Sequence, residues 1–135
     1  MTLTAYAWVA FGGALGAMAR AFVGSWVQGK VHSAFPWGTF IINATGSLLL
    51  GFIATLLTEK IISHPNIRPF ITIGFIGAYT TFSTFEYESF QLGPSLVALG
   101  NIIGSVTVGY GCVWIGARLA LLISSIHPLG RGHVS

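Results

Sequence analysis

The sequence has no aspartate, only three glutamates and a single cysteine. Lysine and arginine together number six, so 7% of the 135 residues are charged, against about 25% in soluble domains. Charged and mixed polar faces are what keep a soluble surface in water, and so few cannot cover one of this size. A water-soluble globular enzyme is close to excluded. The lone Cys112 leaves no disulfide framework to form. The net charge of +3 does not point to nucleic acid, because Lys30, Lys60, Arg68 and Arg131 stand singly rather than in a basic stripe. Catalytic patterns are missing as well. There is no GxSxG elbow and no phosphate loop. His32, His64, His127 and His133 fall in loops or the tail without metal-ligand spacing, and Ser83 has no intramembrane histidine or lysine to serve as its base.

What remains is apolar, at 53% of the residues, with a mean hydropathy of +0.79. Charges leave long gaps: 28 residues between Lys30 and Glu59, 17 between Arg68 and Glu86, and 29 between Glu88 and Arg118. A hydrocarbon core needs about 20 mostly apolar residues per helix, so each gap suits one crossing. Residues 3–27 supply a fourth, broken only by Arg20. They lack the basic start of a signal peptide and read as a retained helix. The expected fold is therefore an all-α integral membrane protein with four transmembrane helices over residues 3–27, 37–58, 69–90 and 96–123. The whole chain, residues 1–135, forms one transmembrane domain. Connections are short, and Gly93-Pro94 marks the last turn.

Four crossings place both termini and the 59–69 loop on one side. That side carries Lys60, Arg68, Arg118 and Arg131, and the other carries Arg20 and Lys30. Orientation follows such asymmetry. An excess of two cations is compatible with one modestly biased topology, or with copies inserted both ways up. Gly12–Gly16, Gly100–Gly104 and Ser47–Gly51 have the four-residue spacing of small residues that lets helices approach closely in lipid, and predict packing against protein.

The third segment is unusual. After Gly74 and Gly77 come Thr80, Thr81, Ser83 and Thr84, four hydroxyls within five residues, all poor helix formers. A helix interrupted near 77–81 leaves carbonyls free on its first half and N–H groups free on its second, and half-helix ends of this kind hold ions. The alternative is that the hydroxyls bond back to the preceding turn and the helix only bends. Thr39, Asn43 and Ser47 recur at i, i+4 and i+8 and share a helix face. Asn101 and Ser105 repeat the spacing in the fourth span. Interhelical hydrogen bonding and a wet, ion-lining surface both explain such stripes. Phe82 and Phe85 project from one face, and electropositive ring edges beside amide and hydroxyl donors suit a small anion. Spans one, two and four contain no carboxylate, so the acidic rings of cation pores are missing. Arg20 is either a pore-mouth cation or an interfacial anchor.

Three stretches then resemble one family. Gly77-Ala78-Tyr79-Thr80-Thr81-Phe82-Ser83-Thr84-Phe85 is similar to the GxxTTFSTF signature of the bacterial fluoride channels, the Fluc or CrcB family. Gly12-Gly13-Ala14-Leu15-Gly16-Ala17-Met18-Ala19-Arg20 resembles its first-span motif, and residues 36–47, from Pro36 to Ser47, its second. The resemblance implies a small four-span subunit in the bacterial inner membrane. Two copies would pair as an antiparallel homodimer of dual topology, with two pores that passively export fluoride. It further implies that Asn43, Phe82 and Phe85 contact the ion, with Thr39 and Ser83 as hydroxyl donors. Glu88 would sit in a vestibule, and Asn101 and Ser105 would line the path. Backbone carbonyls of Gly77 and Thr80 from both subunits would hold a structural sodium ion. Two rivals use the same architecture. A small multidrug-type exporter needs a carboxylate in the first span, and residues 3–27 have none. A non-transporting assembly subunit would use the hydroxyl cluster as helix glue.

Overall fold

The computed structural model describes residues 1–126; Arg131, His127, His133 and the rest of the polar tail lie outside the described residues. Helix α1 (Leu3–Lys30) opens on Thr2, whose Oγ1 accepts from the Ala5 N–H at 3.3 Å. It runs past the expected end at Val27 to Lys30. Helix α2 (Trp37–Thr58) follows Pro36 at its N-cap, and Lys60, with φ of 56°, takes the left-handed conformation that ends it. The third segment begins with a proline in its first turn, where a missing N–H costs nothing. We call its first half α3 (68–79): a π-helix over Arg68–Ile76 that continues as one α-turn, Gly77–Tyr79. Helix α4 (Phe82–Gln91) forms the second half, and α5 (Leu96–Ile126) starts after a turn at Gly93, φ 62°. Thr80 and Thr81, between α3 and α4, are extended.

Helices α1, α2 and α5 are each long and apolar enough to cross a membrane. Neither half of the third segment is, because a crossing needs about 20 residues and the interruption divides them. α1 packs along α3, and α2 along α5. An added Cβ on Gly12 or Gly16 would collide with the Phe70 or Phe75 carbonyl, so α1 rests directly on the α3 backbone. Gly51 stands in the same relation to the Val113 carbonyl on α5. The Gly100–Gly104 pair differs. Gly100 faces open space and Gly104 meets only the Phe40 ring of α2 at 3.7 Å, so among the described residues this pair seats no other helix's backbone. Among the described residues nothing covers α5 at Gly100, which spacing alone cannot reveal.

The buried core is small: Val27, Ile42, Leu56, Ile76, Tyr79, Phe85, Ala98 and Ala120. Most large apolar side chains point outward, including Phe22, Tyr110 and Leu96, which is 86% exposed. Water would penalise such an exterior, at about 25 cal/mol per Å² of apolar surface, whereas lipid does not.

Candidate functional site

The interruption is built by side chains from another helix. Thr80 closes α3 with its N–H and its Oγ1 both donating to the Ile76 carbonyl, at 3.0 and 2.9 Å. The back-bonding expected of a mere bend is therefore present, yet the chain still leaves the helix. At Thr81 the N–H donates to Asn43 Oδ1 at 2.8 Å, and the Thr81 carbonyl accepts from Asn43 Nδ2 at 3.0 Å. One carboxamide on α2 thus pairs with both main-chain groups of Thr81, as a neighbouring strand would. Thr81 Oγ1 in turn donates to Thr84 Oγ1 at 2.9 Å and accepts the Thr84 N–H at 3.4 Å, which caps α4. Gly46 is needed here, because a Cβ would collide with the Thr80 methyl.

Two carbonyls lose their helical donors. In a continued helix the Thr81 N–H would reach Gly77 O, and the Thr84 N–H would reach Thr80 O. The first instead goes to Asn43 and the second to Thr81 Oγ1.

Two cavities flank Thr81, which lines both. The smaller, about 300 Å³, is lined by Asn43, Ser47, Phe82, Phe85 and Ser105. The larger, about 430 Å³, is lined by Arg20, Thr39, Thr84, Glu88 and Gln91. Thr39 and Asn43 share a helix face, but the Asn43–Thr81 bridge divides that face between the cavities. Phe85 is buried and Phe82 is 69% exposed, with ring centroids 5.8 Å apart and planes inclined by 40°. Glu88 keeps its Oε2 buried without a hydrogen-bond partner, a group that water or a cation entering the larger cavity would satisfy. Among the described residues no three His, Cys, Asp or Glu side chains gather.

Behind Phe85 runs a hydrogen-bonded chain. Ser105 Oγ donates to Asn101 Oδ1 at 3.1 Å, Asn101 Nδ2 to Ser89 Oγ at 2.9 Å, and Ser89 Oγ to the Phe85 carbonyl at 2.7 Å. A carbonyl can only accept, so the direction of the whole chain follows from its last member. Ser105 has spent its proton on Asn101 and offers lone pairs to the smaller cavity.

Asn43, Phe82, Phe85 and Ser105 therefore come together, and Thr39, Arg20 and Glu88 gather one cavity away. Two other residues expected at the site stand outside these two cavities. Ser83 is exposed and lines neither cavity, because the first turn of α4 points it away. Asn101 lines neither cavity either; it is 1% exposed, inside the α4–α5 contact. Thr81, Thr84 and Ser89 were not singled out as site residues. Thr81 with Thr84 has the spacing of a helix cap and could have been found; nothing local marks Ser89.

Residues 7–117 match the profile of a family described as CrcB-like protein, Camphor Resistance (CrcB). The chain belongs to this family. It is 42% identical over 118 residues to a protein of Solibacter usitatus named fluoride-specific ion channel FluC, covering 85% of this chain and 97% of that one. A protein of the same name from Acidobacterium capsulatum is 46% identical over 117 residues, covering 82% and 91%. One from Hydrogenovibrio crunogenus is 43% identical over 111 residues, covering 80% and 84%. Family membership and the three long apolar helices make this CrcB-family chain a multi-pass membrane protein.

Proposed function

We propose that the chain is the subunit of a fluoride-specific ion channel, not an enzyme, which lets fluoride leave a bacterial cell passively across the inner membrane. The observation that carries this is the cavity at the helix interruption, where a fixed amide and two phenylalanine rings meet. Fluoride is small and strongly hydrated, so a dry apolar path rejects it, and donors must replace its water. Asn43 is suited to this. Its Oδ1 is committed to the Thr81 N–H and one Nδ2 hydrogen to the Thr81 carbonyl, so the amide cannot turn its oxygen to the anion. One N–H remains to give. Ring edges of Phe82 and Phe85 carry positive partial charge and add weaker attraction. Thr39 supplies a hydroxyl in the adjoining cavity, and Arg20 draws anions toward it.

In this reading residues 68–91 form a fourth, interrupted crossing. A single copy is too small to wall a pore. An apolar groove of about 790 Å³ between α4 and α5, lined by Phe82, Phe85, Phe90, Leu96 and Leu99, supports a second copy laid against it. With so weak a charge bias, antiparallel pairing of copies in dual topology is favoured. Gly77 O and Thr80 O, both without helical donors, suit a hard cation that prefers oxygen ligands. Two such pairs, one from each copy, would hold a sodium ion at the dimer centre. That ion would neutralise the converging carbonyl dipoles.

Protein reconstituted into liposomes is expected to release fluoride down its gradient and to retain chloride. Chloride efflux at a comparable rate refutes the selectivity, and the absence of any anion flux refutes the channel.

A further inference from the structure

We infer that Asn101 is a positioning residue which, with Asn43, clamps helix α4 at both ends and so sets where Phe82 and Phe85 stand against the cavity. Its consequence for conduction rests on the channel reading above; its structural half does not.

Helix α4 is ten residues long, below the length at which a helix holds together by itself. Among the described residues the only other helices it meets are α2 and α5, each along a short contact. Its place must come from specific anchors, and two carboxamides supply them, Asn43 half-buried and Asn101 buried. Asn43 of α2 grips the Thr81 main chain at the entry to α4, and Asn101 of α5 grips Ser89 two turns further on. Among the described residues no other hydrogen bond joins α4 or its cap to another helix. Phe82 and Phe85 fall between the anchors at 81 and 89.

The second anchor is rigid. Ser89 spends its proton on the Phe85 carbonyl, so its oxygen can only accept from Asn101 Nδ2. Ser105 supplies the donor for Asn101 Oδ1. Rotating the amide by half a turn would break both bonds inside a site that is 1% exposed, where an unmatched polar group is costly. Lying outside both cavities, Asn101 acts on the pathway at second hand, through α4 and through Ser105, whose proton it takes from the smaller cavity.

The test is hydrogen–deuterium exchange on the full chain in lipid nanodiscs. Asn101→Leu and Ser89→Ala each remove the one hydrogen bond that joins α4 to α5, and each should speed exchange over 82–91 by roughly three- to tenfold and leave α1 and α2 unchanged. The double variant should exchange no faster than either single one, and Ser89→Thr, which keeps the hydroxyl, should match the unmodified protein. Unchanged α4 exchange, or additive effects, overturns the clamp. Should Asn101→Leu loosen the entire protein, Ser89→Ala decides alone: a rise confined to α4 supports the clamp and a uniform rise overturns it. In liposomes Ser89→Ala, which leaves the Ser105–Asn101 bond in place, should show a lower fluoride-to-chloride efflux ratio; an unchanged ratio beside raised α4 exchange overturns the link to selectivity. If the unmodified protein moves no fluoride, the channel reading fails, while α4 exchange still decides the clamp.

Discussion

Replacing Asn43 separates two roles that one side chain combines. Asn43→Leu preserves size but removes both bonds to Thr81, whose residue is only 9% exposed. Each orphaned buried main-chain group costs about 1–3 kcal/mol, so the loss is about 2–6 kcal/mol. That is a large share of the roughly 5–15 kcal/mol by which folded proteins are stable. Asn43→Asp keeps an acceptor for the Thr81 N–H and orphans only the carbonyl, at about 1–3 kcal/mol. It also places a negative charge on the path. A second unit charge 4 Å away is then repelled by about 4 kcal/mol at an effective dielectric constant of about 20, which lowers anion occupancy on the order of a thousandfold. Both variants should lose fluoride efflux, measured with a fluoride electrode on liposomes. Thermal unfolding in detergent should rank the unmodified protein above Asn43→Asp and that above Asn43→Leu. Wild-type efflux from Asn43→Asp removes the amide N–H from the pathway. An undiminished unfolding temperature for Asn43→Leu removes the bridge.

Phe82→Ile keeps an apolar side chain at a largely exposed position but loses the ring edge, so efflux should fall by tenfold or more while size-exclusion chromatography still shows the assembled protein. Gly12→Ala drives a methyl into the Phe70 carbonyl and should destabilise by about 1–3 kcal/mol in thermal unfolding. Gly100→Ala meets open space in the protomer and should gain up to about 1 kcal/mol of helix propensity, unless the second copy packs on that face. Preparing the protein with a bulky organic cation in place of sodium should reduce efflux and its unfolding temperature together. Indifference to the exchange takes the central ion out of the account.

The helical, membrane-embedded character of the chain was legible in its sequence because it depends on local quantities: apolar stretches of crossing length, the scarcity of charge, and prolines and glycines at the turns. The interruption was also visible to within a few residues, since hydroxyl and glycine clusters weaken a helix wherever they occur. Its position at Thr80 and Thr81 rather than at Gly77 was not. Gly77 remains helical, with φ −62° and ψ −33°, and the chain leaves the helix only where a partner 38 positions away receives the freed groups. The same dependence explains where the other polar residues stand. Periodicity assigns side chains to a face of their own helix but cannot say what covers that face. Thr39 and Asn43 therefore fall in different cavities, Ser83 turns outward, Gly100 meets nothing in the protomer, and Asn101 lies buried between α4 and α5. Sequence by itself determined that this chain enters a membrane as apolar helices and carries a weak point in the third. Only the tertiary structure decided which side chains satisfy that weak point, because a buried hydrogen bond is chosen by which helices come into contact, and that is not a local property of the chain.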